Sequence, residues 1–330
     1  MSEALLVVED LQTHFHTRQG TARAVDGVSF QVDPGQILGL VGESGSGKSV
    51  TGFSILGLVD PPGRVVGGEV RFHGENLLAL PPERMRKLRG SRIAMIFQDP
   101  MMTLNPVLRI DTQMMEAVLA HDAVSRRAAR ARCREALARV GIPAPEERLK
   151  AYPHQFSGGM RQRVAIAIAF LHKPDLIIAD EPTTALDVTI QAQILAEAQD
   201  LCRDSGTAMI WITHDLAVVA GLADRLCVMY AGRVVESGDI DAVLDHPRHP
   251  YTRGLIDSVP SRNRRGQTLA QIPGMAPSLL NLPSGCAFRP RCPQRTERCK
   301  QAPALDELRP GHRVRCFHPL STDTPVESPA

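Results

Sequence analysis

The sequence predicts an α/β fold built around a phosphate-binding loop, with a proline-rich extension behind it. Three observations carry this. First, Gly42-Glu43-Ser44-Gly45-Ser46-Gly47-Lys48-Ser49 stands between a strand-like apolar run, Gln36 to Val41, and an apolar stretch of helical length, Val50 to Leu58. Second, another apolar run, Leu176 to Ala179, ends in the carboxylates Asp180 and Glu181. Third, strand-like and helix-like periodicities alternate between and beyond them, the pattern of an α/β chain.

The first element is the reason for the rest. Strand, glycine-rich turn and helix start are the setting in which this octapeptide binds a nucleoside triphosphate. Gly42, Gly45 and Gly47, with Ser44 and Ser46 between them, let backbone N–H groups turn inward around phosphates, and the helix N-terminus adds a favourable dipole. Lys48 reaches the terminal phosphates and the Ser49 hydroxyl is placed for Mg²⁺.

The bulk numbers bound what surrounds it. At 330 residues, 43% hydrophobic and 22% charged, the chain suits a globular protein of two domains. The net charge of +2 hides an asymmetry: residues from His246 onward carry 13 Lys and Arg against 6 Asp and Glu, or +7, which leaves −5 for residues 1–245. Such a basic tail suits anionic headgroups, RNA or an acidic protein face, and equally a solvated surface. No apolar run approaches the roughly 18 residues of a membrane span. The opening MSEALLVVED lacks a signal-peptide layout, so the chain is expected on the cytoplasmic side. There, its seven cysteines are expected as thiols, metal ligands or cluster ligands rather than disulfides.

Taken in order, Leu5 to Leu11 and Ala24 to Val32 read as strands around a polar loop, and Pro34-Gly35 turns into the phosphate-loop strand. Phe15 follows the first strand, where its face can stack on an adenine ring or pack on a core rim. After the loop helix come Pro61-Pro62-Gly63, a strand and turn over Glu69 to Leu77, and a basic helical piece from Pro82 to Arg89. Arg92 to Phe97 is a strand that delivers Gln98, a side chain able to bind Mg²⁺ or orient an attacking water. Residues from about 101 to 165 form a mostly helical subdomain, with helices over Ile110 to Ala120 and Ser125 to Val140, Ser125 as N-cap and Gly141 as stop.

That subdomain closes on Ser157-Gly158-Gly159 ahead of an apolar helix, Val164 to Leu171, which makes a second anion-facing helix start. Asp180 then suits Mg²⁺ through water, and Glu181 suits polarisation of a water attacking the γ-phosphate. Asp187 lies near the start of the next helix, Ile190 to Cys202. The strand Ala208 to Thr213 ends at His214, whose imidazole can hydrogen-bond the γ-phosphate. Strands Arg225 to Tyr230 and Arg233 to Ser237 flank Ala231-Gly232.

These motifs, in this order over residues 4 to about 245, resemble the ATP-binding-cassette (ABC) ATPases. The resemblance implies a P-loop NTPase with a RecA-like core, an antiparallel β-subdomain and a helical subdomain. It implies ATP and Mg²⁺ as cofactors, Gln98 as the Q-loop residue, residues 157–162 as the signature, Asp187 as the D-loop residue, and Glu181 and His214 as catalytic groups. It further implies a head-to-tail dimer in which Ser157 and Gly159 of one chain meet the γ-phosphate held by Lys48 and Ser49 of the other. The signature departs from the family's commonest pattern at Met160, where a glutamine amide is missing and backbone N–H donors remain.

The tail resembles something narrower. His249-Pro250-Tyr251-Thr252-Arg253-Gly254-Leu255 followed by Ile272-Pro273-Gly274 is similar to the extension of the oligopeptide/dipeptide and nickel importer ATPases. The division expected is therefore 1–245 for the ATPase domain and 246–330 for an extension. Thirteen of the 25 prolines lie in that extension, which reads as loop-rich. Its Cys286, Cys292, Cys299 and Cys316 have the spacing C-x5-C-x6-C-x16-C, a set suited to a tetrathiolate site in a segment with little core of its own. The paired spacing zinc usually prefers is absent. The resemblance implies a 4Fe-4S cluster there, with Arg289, Arg291, Arg295 and Arg298 offsetting thiolate charge, and zinc or free thiols as alternatives. As partners it implies a second, related ATPase subunit, two membrane permeases and an external substrate-binding protein. The location implied is the cytoplasmic face of the membrane. Peptides are the expected cargo, with nickel or another small solute as the alternative. A soluble cassette acting on nucleic acid is disfavoured, because the tail lacks aromatic-basic interleaving.

Overall fold

In a computed structural model, residues 4–183, 188–259 and 270–321 are described. The chain opens with a long hairpin, β1 (Leu6–Thr17) and β2 (Gly20–Val32), in which Leu6 pairs with Val32 and Thr17 with Gly20. The polar stretch between the two expected strands is itself strand, because backbone pairing continues up to the tight turn. Next come β3 (Ile37–Val41), buried at all five positions, and α1 (Lys48–Leu56). Helix α1 begins inside the glycine-rich motif rather than after it. Then follow β4 (Gly63–Phe72), β5 (Glu75–Asn76), α2 (Pro82–Leu88), β6 (Ile93–Ile96), α3 (Ile110–Leu119), α4 (Arg126–Arg139), α5 (Pro145–Arg148) and α6 (Gly158–Phe170). The strand β7 (Leu176–Asp180) precedes α7 (Val188–Ser205), β8 (Ala208–Thr213), α8 (Leu216–Ala220), β9 (Arg225–Tyr230) and β10 (Arg233–Asp239). Last come α9 (Ile240–Asp245), α10 (Pro250–Asp257), β11 (Asp306–Arg309) and β12 (His312–Val314).

Two compact units divide the chain. The first takes Met1–Val32, Gln36–Leu78 and Trp211–Ala330; the second takes Asp33–Gly35 and Ala79–Ile210.

In the first unit an antiparallel sheet has the order β2-β1-β4-β5. A second set of strands runs β11-β12-β10-β9-β3, with β3 parallel to β9 (Leu40 opposite Cys227) and the other pairs antiparallel. A strand buried on both faces needs an unbroken apolar run, which is what residues 37–41 supply. Between β9 and β10 the chain reverses through Ala231 and Gly232, at φ 48° and 81°. Two successive positive φ values make the primed turn whose twist matches an antiparallel pair.

In the second unit β6 lies parallel to β7, Ile93 opposite Leu176. Helix α4 packs through a narrow stripe, burying only Ala129, Cys133 and Leu137, one residue per turn, whereas α3 buries Ile110, Asp111, Met114, Met115 and Val118. Ser125 caps α4 by accepting from the Ala128 N–H at 3.2 Å, and Gly141 ends it at φ 68°. Arg163 of α6 donates to the Val140 and Gly141 carbonyls at 3.2 and 3.4 Å, satisfying acceptors at the end of α4. Helix α7 buries Ile194, Ala198 and Cys202 in the same manner. Asp187 lies outside the described residues. Among the described residues no helix is long and apolar enough to cross a membrane.

Candidate functional site

The phosphate loop is shaped by what its glycines allow. A Cβ at Gly42 (φ 154°) would collide with the Met229 carbonyl, and one at Gly47 (φ 102°) with the Ala24 carbonyl. Only glycine lets the loop pass between these strands. Gly45, by contrast, has open space where a Cβ would stand. The β9–β10 turn grips the loop from below: the Gly232 N–H donates to the Ser46 carbonyl at 2.9 Å, and the Gly232 carbonyl accepts from the Asp26 N–H at 2.8 Å.

Lys48 is buried, and its Nζ donates to the Gly42 carbonyl at 2.8 Å and the Glu43 carbonyl at 3.1 Å. The Ser46 hydroxyl is buried with no hydrogen-bond partner among the described residues. Helix α1 has no side-chain cap and no acid in its first turn, so its N-terminal N–H groups face the loop without a competing carboxylate. A buried cation, an orphaned hydroxyl and a bare helix N-terminus fit a polyphosphate. Ser49, half-buried, follows Lys48 on the same turn. Phe15 lies within β1, two residues from its end; its ring is half-buried and leaves no room for a Cβ at Gly63. His214 follows β8 and is exposed, ahead of Asp215, which caps α8 by accepting from the Ala217 N–H at 2.8 Å.

The second unit carries the remaining predicted groups. Asp180 is the buried last residue of β7, and Glu181 follows at φ 43°. A left-handed, non-glycine residue at a strand end holds local strain of a kind concentrated at functional sites. Gln98, exposed after β6, donates from Nε2 to Glu181 Oε2 at 3.3 Å, so two residues 83 apart in sequence meet in one place. Ser157 caps α6 by accepting from the Met160 N–H at 3.3 Å. The Met160 side chain therefore matters less at this point than its backbone. Ser157 and Gly158 are exposed, and open space surrounds the position of a Gly158 Cβ.

Known proteins carry the same combination. The family model described as ABC transporter matches residues 25–184, and the one described as oligopeptide/dipeptide transporter, C-terminal region, matches 235–299. The chain is 49% identical over 319 residues to the oligopeptide transport ATP-binding protein OppD of Escherichia coli (strain K12), covering 97% of this chain and 94% of that one. It is 48% identical to the dipeptide transport ATP-binding protein DppD of the same strain, covering 96% and 97%. The chain belongs to the ATP-binding subunits of the oligopeptide/dipeptide ABC transporters. As such it is an ATPase. Its fold agrees with that of the ATP-binding cassette MJ0796, solved as a dimer in a post-hydrolysis state with ADP and Pi: TM-score 0.65, 26% identity, 71% of this chain and 98% of that one.

What sets this ABC subunit apart from a bare cassette is the extension, whose anchoring spacing alone did not reveal. Glu236 on β10 is fully buried and accepts from the Arg248 N–H (2.6 Å), the His249 N–H (2.9 Å) and His312 Nε2 (2.8 Å). One carboxylate thus holds both the start and the end of the extension. His249 then caps α10, its Nδ1 accepting from the Tyr251 N–H at 3.0 Å; burial lowers its pKa to about 3 and keeps the ring a neutral acceptor. The prolines suggested loop here, yet Pro250 occupies the first helical turn, where its missing N–H costs nothing.

Cys286, Cys292, Cys299 and Cys316 all line one small cavity, with His249, Phe288 and His318. Burial raises the pKa of the Cys286 and Cys292 thiols and takes that of Cys316 to about 11, each with neighbouring cysteines adding to the rise. The donors are thiols of the right kind and number for a tetrathiolate site. Yet among the described residues no three His, Cys, Asp or Glu side chains stand close enough to hold a metal ion. Arg291 is not directed to the cysteines: its guanidinium forks onto Glu43 of the phosphate loop. Arg298 stacks on Phe317 with its guanidinium 4.5 Å from the ring centroid, and Arg295 donates to the Pro290 carbonyl at 3.3 Å.

Proposed function

We propose that this chain is the ATP-hydrolysing subunit of an importer of di- and oligopeptides, bound to the cytoplasmic face of the membrane beside a second, related ATPase subunit. Two permease subunits and an external peptide-binding protein complete the assembly. The observation that supports it best is the pairing, in one chain, of the phosphate-loop cassette with the oligopeptide-type extension at about half identity to OppD and DppD over nearly their whole lengths.

Within that reading Lys48 and the N–H groups of residues 42–49 hold the β- and γ-phosphates, and Phe15 supports the adenine. Ser49, Gln98 and, through water, Asp180 hold Mg²⁺, which neutralises phosphate charge. Glu181 takes the proton of the attacking water, positioned by Gln98, and His214 donates to the γ-phosphate. The signature residues Ser157, Gly158 and Gly159 serve the nucleotide of the partner ATPase; the exposure of Ser157 and Gly158 and the open space at Gly158 support this assignment. We further propose that Cys286, Cys292, Cys299 and Cys316 hold a 4Fe-4S cluster, with zinc as the alternative ligand of the same thiolates. A bound metal or cluster would take these four side chains as thiolates and would cross-link a core-poor segment.

The test is to purify the chain anaerobically with its membrane partners, reconstitute the complex in vesicles, and measure ATP-dependent uptake of a labelled dipeptide with iron, sulfide and zinc content. Uptake that follows ATP hydrolysis supports the importer reading. Hydrolysis without peptide uptake rejects the cargo, and a metal-free extension in an active complex rejects the cluster.

A further inference from the structure

Every polar group of Glu43 is engaged. Its N–H donates to the Tyr251 hydroxyl at 2.9 Å, and its carbonyl accepts from Lys48 Nζ at 3.1 Å. Its carboxylate takes both arms of Arg291, Nη1 to Oε2 at 2.7 Å and Nη2 to Oε1 at 2.9 Å. Of its three polar groups, the N–H and the carboxylate are therefore held by the extension, while the carbonyl also accepts from the Ser46 N–H at 3.2 Å within the loop. Arg291 is only 6% exposed in its side chain, against 29% for Glu43. It is fixed from behind by the Pro273 carbonyl, which accepts from Nε at 2.9 Å, and it lies over the Tyr230 and Phe288 rings at 5.8 and 6.0 Å. The arginine belongs to the short turn Arg289–Arg291, directly before Cys292.

An acidic residue in a loop that receives a triphosphate is an electrostatic liability. Like charges a few ångströms apart in a half-buried site repel by amounts that matter. A bidentate, mostly buried arginine removes that liability and fixes the direction of the carboxylate. We propose that Arg291 is a positioning residue for nucleotide binding: it neutralises Glu43 and, with the Tyr251 hydroxyl, holds the phosphate loop in its receptive shape. The extension is thereby part of the nucleotide site, acting through Glu43 rather than by touching the nucleotide. This rests on residues 42–49 being the phosphate loop.

The experiment is calorimetric titration of MgATP into the full-length chain, wild type and variants, with KM and kcat for hydrolysis measured in the assembled complex. Arg291→Gln weakens MgATP binding about tenfold and raises KM with kcat little changed, because it leaves an unpaired carboxylate in the loop that receives the phosphates. The decisive variant is the double one: adding Glu43→Gln to Arg291→Gln restores most of the lost affinity, whereas a merely structural arginine gains nothing from it. Tyr251→Phe, which keeps the ring packing and loses only the hydroxyl, weakens binding about threefold. Where Arg291→Gln fails to fold, Arg291→Lys replaces it; a single point charge in place of the fork recovers only part of the affinity. Unchanged affinity in Arg291→Gln, or a deficit that Glu43→Gln leaves in place, overturns the proposal. A wild-type chain that binds no MgATP overturns the phosphate-loop assignment instead.

Discussion

The protein presents two glycine-rich helix starts, and they are built in opposite ways. The one at α1 is enclosed: Ser46, Gly47 and Lys48 are buried, the β9–β10 turn grips the Ser46 carbonyl, and the extension holds Glu43. The one at α6 is open: Ser157 and Gly158 are exposed, and the cap made by Ser157 is internal to the helix. A fully braced phosphate loop is preorganised for its ligand before the ligand arrives. An unbraced one, with space where a side chain would stand, suits a counterpart from outside, the role that the proposed second ATPase subunit would fill. The difference teaches that glycine serves two purposes in one chain. At Gly42 and Gly47 it lets backbone pass backbone; at Gly158 it leaves room for something that comes from outside.

Mutations sharpen the contrast, and the largest effect falls on the enclosed loop. Lys48→Ala removes the buried cation and brings ATP hydrolysis to background, with MgATP binding lost by titration. Glu181→Gln lowers turnover by about a hundredfold or more while leaving ATP bound, read as nucleotide retained on the purified complex; near-normal turnover would rule out Glu181 as the base. The two glycines then separate. Gly42→Ala drives a Cβ into the Met229 carbonyl and lowers the melting temperature of the isolated chain. Gly158→Ala leaves that temperature within about 2 °C of wild type, since a helical position with open space accepts alanine readily, yet it lowers hydrolysis in the complex. Equal destabilisation by the two changes would erase the distinction. Ser157→Ala loses an N-cap and costs about 1 kcal/mol by chemical denaturation.

The smallest expected effect is chemical. Burial raises the pKa of the Cys202 and Cys227 thiols to about 12 and that of Cys133 to about 11. In native protein near pH 8 these three resist iodoacetamide, while denaturant exposes them; fast labelling of Cys133 in the folded chain would contradict its place on the buried stripe of α4.

Much of this was legible from residues alone, for identifiable reasons. A buried parallel strand needs an unbroken apolar run, so β3 and β7 announced themselves in residues 37–41 and 176–180. Caps and stops are local chemistry, so Ser125 and Gly141 act where the sequence places them, while the capping role of Ser157 comes from the structure. Local signals failed where long-range pairing decides. The hairpin of β1 and β2 extends through polar residues because each strand supplies the other's hydrogen bonds. The helix α10 was obscured because prolines were weighed without the N-cap at His249. Nothing in spacing points Tyr251 or Arg291 at Glu43, since the partners are 208 and 248 residues apart. The four cysteines form a set in the sequence, and a single cavity collects them. Their arginines were read as a group, and the fold assigns Arg291 to other work.

The contacts of Glu43 also set an order in time. Synthesis runs from the N-terminus, and domains begin to fold as they emerge. Residue 43 leaves the ribosome well before Tyr251 and Arg291, which follow 208 and 248 residues later. While the extension is still being made, the loop that will hold ATP has its glycines and its lysine but lacks two of the contacts that shape it. The phosphate loop therefore gains these contacts only after residue 291 has emerged, and a chain truncated before it is released without the Arg291 fork.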